Sequence, residues 1–404
     1  LGGLLVRIGR FKDAEQHYRE AVRLKPDFLD ALVFLGDLLV KIQRPADAEL
    51  SYRAAVKLSP NYAEVHCSLG SVLMTLGRLT DAERTFRKAL RLKPDMAEAH
   101  CNLGLVYKRM RLHKTAKRCY QEAIRIKPDI AEAHNNLGAI LNNLSEVQEA
   151  ECHLLKAIQL KKDYADAQWN LSLNQLLQSK LRNGFALYEW RWNAATCLKG
   201  SERSFRQPLW LGNENLSGMT ILVHAEQGLG DTLQFCRYLK LLKSLAGKVV
   251  FEVQKPLTGL LTGLEGVDIL LPKGQSLPQF DFHCPLLSLP LAFKTTEDSV
   301  PVSRSYISAQ PARKERWSKR LGSVGFKIGI CWKAGETNDA RSIPLELLQP
   351  ISIIPGVRLI SLHKGEGEKE LSALPSEMTV EAFGADFDTD GAFLDTAAVI
   401  ACCD

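Results

Sequence analysis

In VHAEQGLGDTLQF, residues 223–235, an apolar run meets two glycines and a carboxylate, and an amphipathic segment follows. An apolar strand, a glycine turn and a helix start often cradle a phosphate. The familiar nucleotide loops need other residues, however. A P-loop requires Gly-Lys-Ser/Thr, and Asp231 stands where the lysine would be. A dinucleotide fingerprint requires a third, correctly spaced glycine, which is missing. The turn therefore presents a carboxylate at a helix start. Asp231 is a candidate general base and equally a candidate N-cap for a helix beginning at Thr232; one carboxylate can do both. Gly228 and Gly230 would permit positive φ and close approach of a substrate. His224, closing the same apolar run, is the rival base, or packs against the turn.

The elements that must hold this turn follow from alternation. TILVHA, KVVFEV, VDILL and FDFHC read as strands. Helices are expected at 232–245, 256–264 and over PLLSLPLAF. After a helix at 311–321 a second series starts. KIGICW and VRLISLHK are its strands, with a possible third near 378–380. PLELLQPI, a short stretch from 367, and LDTAAVIACC are its helices. Apolar strands alternating with helices imply parallel, doubly wound sheets. Two such domains in tandem form a cleft between the carboxyl ends of their strands, where ligands bind.

The first half is different. Its period is 34: Leu1, Leu35, Leu69, Leu103, Leu137 and Leu171 coincide, as do Gly2, Gly36, Gly70, Gly104 and Gly138, then Ser172. Ala14, Ala48, Ala82, Ala116 and Ala150 follow, with Tyr18, Tyr52, Phe86 and Tyr120, and Pro26, Pro60, Pro94 and Pro128 closing the units. This pattern resembles the tetratricopeptide repeat, TPR, over about 1–195, with a decayed, cap-like last unit. Small residues let two helices approach, the aromatic fills the gap, and proline ends the second helix. The chain begins at the seventh position of a unit, which reads as truncation and not as a signal peptide. His66, His100 and His134 share one repeat position. Stacked equivalents lie on the order of 10 Å apart, too far to share one metal, so they are expected to pack. Asn102, Asn136 and Asn170 share another position, on the concave wall. A column of carboxamides can pair with the backbone of an extended peptide whatever its sequence, or stand solvated. NGFALYEWRWN reads as a seam to the next domain, or as a sugar-stacking platform.

HAEQGLGDTLQFCRYL, FDFHCPLLSLPLAF, RSIPL and FLDTAAVIACCD resemble bacterial TPR proteins with a C-terminal glycosyltransferase domain of the GT-B fold. That domain is similar to the heptosyltransferase family (family 9) and, more distantly, to the TPR-bearing protein O-GlcNAc transferases. The resemblance implies an α plus α/β organisation: a TPR solenoid at 1–195, a linker at 196–217, a first Rossmann-like domain at 218–310, and an incomplete second one at 311–404. It also implies an inverting, metal-independent enzyme moving a sugar from a nucleotide-sugar donor to a hydroxyl acceptor, with no other cofactor. In that family the Gly-Asp turn supplies a catalytic Asp, here Asp231. A basic residue after the first strand of the second domain meets the diphosphate, with Lys333 and Arg341 as candidates here. The family's later donor motif lies beyond Asp404. Such a transfer needs a base, positive charge for the leaving diphosphate, and a cleft that excludes water. Lys364, which also follows a strand, suits the second need, and His283 is a candidate acceptor contact. Asp386, Asp388 and Asp390 have the spacing of a metal-binding DxD, but precede a helix and read as a solvated loop. The alternative is a non-catalytic peptide-binding scaffold with an inert α/β half.

Composition narrows the classes. The 404 residues are 46% hydrophobic and 24% charged, an ordinary globular profile, with no apolar run long enough to span a membrane. Net charge is +6; residues 1–200 hold 31 Lys/Arg against 22 Asp/Glu, and the remainder 21 against 24. This basic balance reads as solvated helix faces, or as a surface for an acidic partner. Interleaved aromatics on a basic surface are lacking, so no nucleic acid is expected. Ten cysteines without a CxxC pair point to a reducing, cytoplasmic setting.

Overall fold

The computed structural model describes residues 1–200, 202–302, 305–333 and 342–404. The chain forms two compact units, Leu1–Arg203 and Ser204–Asp404.

The first unit is a run of antiparallel helix pairs: α1 (Gly2–Arg7), α2 (Phe11–Leu24), α3 (Leu29–Lys41), α4 (Pro45–Leu58), α5 (Ala63–Thr75), α6 (Leu79–Leu92), α7 (Ala97–Arg109), α8 (His113–Ile126), α9 (Ala131–Asn143), α10 (Val147–Leu160), α11 (Ala165–Leu177) and α12 (Leu181–Tyr188). The repeat pattern explains their packing. Ala14, Ala48, Ala82, Ala116 and Ala150 are fully buried. A Cβ on Gly36 would lie 2.6 Å from the Tyr52 ring, and one on Gly104 2.8 Å from Tyr120, so only glycine admits the aromatic. In the fifth unit Leu154 fills the same slot against Gly138. Residues preceding the closing prolines, Lys25, Ser59, Lys93 and Lys127, are extended at φ −139°, −133°, −142° and −137°, as proline requires of its predecessor. The sharp turn inside each pair uses a left-handed residue at one repeat position: Gly9, Gln43, Gly77, Arg111, Ser145 and Ser179. Only two of the six are glycine.

The rungs between units are ionic. Arg44 donates to Glu15 (2.9 Å), Arg78 to Glu49 (2.7 Å) and Lys180 to Glu151 (3.0 Å), each 29 residues apart. Lys117 and Glu146 occupy the same two positions with the charges exchanged. At the remaining rung Leu112 takes the repeat position of the basic residue, and Glu83 pairs instead with Arg87 and Tyr107. At the array's C-terminal end an amide network takes over. Asn174, fully buried, donates to Asn142 Oδ1 (2.7 Å) and to the Val147 carbonyl (2.8 Å).

The second unit holds two parallel sheets. The first runs β3-β2-β1-β4, from β1 (Thr220–His224), β2 (Lys248–Val253), β3 (Ile269–Pro272) and β4 (Phe282–Pro285), with Leu222 opposite Val250 and His283. Its helices are α13 (Leu229–Phe235), α14 (Leu239–Leu245), α15 (Thr258–Leu261) and α16 (Leu289–Ala292). The segment expected as one helix over 232–245 is broken. At Cys236–Tyr238 it tightens to a 3₁₀ turn, where the Cys236 thiol and Arg237 guanidinium bond the carbonyls three residues back and compete with the helical ladder. Residues 208–210, expected as linker, belong to this sheet: Trp210 N–H donates to the His283 carbonyl (2.8 Å), and His283 N–H to Pro208 (3.1 Å). The second sheet runs β5-β6-β7. After α17 (Pro311–Leu321) come β5 (Phe326–Ile330), α18 (Gln349–Ser352), β6 (Val357–Ser361), the two-residue β7 (Val380–Glu381) and α19 (Leu394–Ile400). Trp317, Ile360, Phe387, Ala398 and Val399 form one of its core clusters.

Two expectations about the opening turn are corrected. Its helix starts at Leu229, three residues earlier than expected, with Gly228 as N-cap and Asp231 in the first turn. Gly228 has φ −69° and ψ 167°, and Gly230 lies in the helix, so neither uses the left-handed region.

Candidate functional site

Asp231 caps the turn it belongs to. Its Oδ2 accepts the Gly228 N–H at 3.0 Å, the reach-back half of a capping box. Beside it, Thr232 Oγ1 donates to Gln254 Oε1 (3.0 Å), and Gln254 Nε2 donates back to the Gln227 carbonyl (2.8 Å). The turn is thus tied to the end of β2. A Cβ on Gly230 would meet nothing within 4 Å, leaving that face open to a substrate backbone or sugar ring. His224 does not share this exposure. It is 3% exposed, and its ring packs against Phe205 (5.6 Å between centroids) and His283 (5.7 Å). Phe205 lies 4.7 Å from His283. Of the two roles expected for His224, the structure shows the packing one, within an aromatic cluster formed by Phe205 and His283. His283 packs in the same cluster.

The basic candidates converge elsewhere. Lys333 follows β5 and Lys364 follows β6, and both line a cavity of about 700 Å³ together with Cys331, His363, Asp388 and Phe393. Parallel strands put every loop leaving their carboxyl ends on one side of the sheet, which explains the convergence of residues 31 apart in sequence. Lys333 Nζ donates to Glu370 Oε1 (2.8 Å), whose other oxygen accepts the Trp332 indole N–H (3.0 Å). These bonds from Lys333 and Trp332 hold the Glu370 carboxyl below its ordinary range, against the effect of burial. Lys364 donates to the Phe387 carbonyl. Arg341 lies outside the described residues. Asp231, His224 and His283 do not line this cavity. A second cavity of about 660 Å³, bordered by Leu233 of α13, shares Phe393 and Thr396 with it.

DFDTD is a structural loop, where a solvated one was expected. Asp388 accepts the N–H groups of Asp395 and Thr396 and the Thr396 hydroxyl, closing the start of α19. Asp390 pairs with Arg313 (2.6 Å). Asp395, 1% exposed, was not singled out in the sequence. It accepts Arg313 (2.9 Å), Arg316 (2.6 Å) and the Trp317 indole (2.8 Å). Burial pushes its carboxyl up, but the Trp317, Asp388 and Arg313 bonds outweigh it and the net direction is down. No apolar periodicity marks such a residue; an Asp inside an otherwise apolar helix was the available signal. Among the described residues no group of three His, Cys, Asp or Glu is placed to hold a metal.

In the array the histidine ladder bonds to the closing prolines. His66, His100 and His134 each place Nε2 at 2.9–3.0 Å from the carbonyl of Pro60, Pro94 and Pro128. The asparagine column is partly spent between units. Asn102 donates to Ser71 Oγ (3.3 Å) and Asn170 to Asn135 Oδ1 (2.8 Å), while Asn136 is half-buried. The aromatic motif after α12 closes on itself: fully buried Arg191 stacks on Tyr188 and Trp192 and pairs with Glu189 (2.6 Å).

Residues 1–63, 97–130 and 119–151 match the family described as tetratricopeptide repeat, and 70–110 the one described as TPR repeat. The N-terminal half is a tetratricopeptide-repeat array. Protein FlbA of Caulobacter vibrioides is similar at 26% identity over 231 residues; the match covers 51% of this chain and 38% of that protein's length. Among solved structures the chain is similar to MamA, at 28% identity and TM-score 0.38, covering 41% of this chain and 96% of MamA. It is also similar to PilF of Pseudomonas aeruginosa, at 20% identity and TM-score 0.43 over 46% of this chain and 85% of that one. YrrB, described as a TPR protein with an unusual peptide-binding site, shares 19% identity at TM-score 0.37, covering 44% of this chain and 91% of YrrB. No helix of the described residues is long and apolar enough to cross a membrane.

Proposed function

We propose that the second unit transfers a sugar from a nucleoside diphosphate donor to a hydroxyl acceptor, and that the TPR array recruits the polypeptide partner. The observation that carries this reading is the arrival of Lys333 and Lys364 in one cavity at the carboxyl ends of two parallel strands. Two ammonium groups beside a concave surface suit a leaving diphosphate, whose developing charge they stabilise. Asp231, at the open glycine turn of the first sheet, is the base that takes the acceptor proton. The Gly228 N–H holds its Oδ2 and leaves Oδ1 for the hydroxyl. The amide groups of Asn102, Asn136 and Asn170 not engaged between units meet the backbone of the bound polypeptide.

The test is titration of uridine, guanosine, adenosine and cytidine diphosphates by calorimetry. One of them should bind, and Lys333→Ala or Lys364→Ala should weaken it by about tenfold or more, the weight of one charge-assisted hydrogen bond. Failure of all four to bind would sink the donor reading. The second reading, a peptide-binding scaffold with an inert α/β unit, is favoured by the existing bonds of Lys333 to Glu370 and of Lys364 to Phe387, which a diphosphate must displace.

A further inference from the structure

The same cavity holds a thiol–imidazole pair. Cys331 follows β5 and His363 follows β6, and the Cys331 Sγ lies 3.6 Å from His363 Nδ1. On the far side of the ring the Gly367 N–H donates to Nε2 at 3.1 Å. That second bond decides the tautomer. Nε2 presents its lone pair, so the neutral ring carries its proton on Nδ1 and donates toward the sulfur. Burial holds the His363 pKa below its ordinary value, with Lys333 adding to the effect and Glu368 and Glu370 opposing it. An imidazole in this state does not take the thiol's proton; it donates a hydrogen bond to a thiolate. The ammonium groups of Lys333 and Lys364 line the same space. The carboxylates nearby are committed: Glu370 to Lys333 and Trp332, Glu368 to the Gly365 N–H, and Asp388 to the start of α19. Cys331 itself is exposed. A cysteine that is accessible, receives an N–H and shares its cavity with Lys364 and the Lys333–Glu370 pair is in the environment of a reactive thiol.

We infer that Cys331 is a nucleophilic site for an anionic low-molecular-weight disulfide of the glutathione disulfide kind, and that the resulting mixed disulfide fills the cavity. Cys331 releases its proton to water, and the thiolate so formed attacks one sulfur of the disulfide. A bond from Sγ to that sulfur forms as the disulfide bond breaks, and the other half leaves as a thiolate that takes a proton from water. Cys331 is oxidised and the departing half is reduced. The carboxylates of such a disulfide match Lys333 and Lys364, which selects it over a neutral reagent. Only the consequence for donor binding rests on the function proposed above.

Cys152, exposed on α10, is an internal reference in the same chain. The intact protein is exposed to glutathione disulfide at pH 7, and mixed disulfide at each cysteine is followed by peptide mass spectrometry. Cys331 should react at least about tenfold faster than Cys152; equal rates overturn the inference. His363→Phe keeps a ring against Trp332, 4.8 Å away between centroids, but removes both nitrogens. It should bring Cys331 within about threefold of Cys152, and an unchanged rate would remove His363 from the site. Should that variant not fold, the rate comparison between Cys331 and Cys152 in the unaltered chain decides alone. For the cavity, the glutathione-modified chain should lose nucleoside diphosphate affinity by about tenfold or more, as when one charged contact is removed. Cys331→Ser should resist modification, and its affinity should be the same before and after exposure to glutathione disulfide. Unchanged affinity after modification refutes the blockade. A chain that binds no nucleotide before modification refutes the donor reading, and the rate comparison still decides the thiolate.

Discussion

Asp231 caps its helix and is the base proposed for the transfer, and substitution separates the two roles. Its Oδ2 holds the Gly228 N–H at 3.0 Å, a bond that an asparagine oxygen can also accept and an alanine cannot. Asp231→Ala should therefore lower stability by about 1 kcal/mol, the typical worth of a cap, while Asp231→Asn stays within a few tenths. Urea unfolding of both variants checks this. Turnover should follow the other order of chemistry: with the donor bound, Asp231→Asn should lose about 10²–10⁴-fold because it cannot take a proton. Full activity in Asp231→Asn would leave Asp231 as a cap alone. The sequence made this residue conspicuous because a carboxylate stood in a glycine turn. The helix register around it was less legible, since Gly228 works as N-cap without a side chain to announce it. His224 was ambiguous in the sequence for a related reason. A histidine at a strand end advertises chemistry, but whether its ring faces a cleft or a phenylalanine depends on Phe205, nineteen residues earlier and outside any motif. Asp388 and Asp390 looked like loop charge because their partners are backbone N–H groups at the start of α19 and Arg313 on α17, which no local pattern reveals.

At the scale of elements, the array's units are joined by the 29-residue ionic rungs, one of which carries exchanged charges. Lys117 sits between Glu146 and Glu149. Lys117→Glu would set three carboxylates together and should lower the melting temperature. Adding Glu146→Lys rebuilds the rung with the polarity found at Glu15–Arg44, and should recover most of the loss. No recovery in the double variant would show that the rung contributes through packing of the aliphatic stems instead. The helices themselves were plain in the sequence, because glycine, alanine, aromatic and proline recur where backbone contact, gap and helix end require them. The left-handed turn residue was not: at Gln43, Arg111, Ser145 and Ser179 the stacked helices impose a backbone conformation that the side chain would not choose. In the α/β unit the strands were legible as apolar runs. The break at Cys236–Tyr238 was not, since it follows from a thiol and a guanidinium competing for helix carbonyls.

Over the whole molecule, division into Leu1–Arg203 and Ser204–Asp404 has a direct test. Residues 1–203 expressed alone should give the strong helical circular dichroism of a stacked array and a cooperative urea transition, because each unit buries its apolar face on its neighbours. A weak helical signal would show that the array depends on the second half for its fold. Such arrays carry a hazard that ordinary domains do not. Their units are similar enough for a refolding chain to stack a helix pair on the wrong neighbour, skipping one and leaving it looped out. The rungs oppose that error. If the unit offering Glu83 met the edge that carries Glu146, carboxylate would face carboxylate; if Lys117 met the edge that carries Lys180, ammonium would face ammonium. The Glu/Leu and Lys/Glu rungs thus act as a parity mark in the C-terminal half of the solenoid. They leave the correct stack unpenalised and set like charges against each other at those two skips, whereas Glu15 brought to Arg78 would still pair.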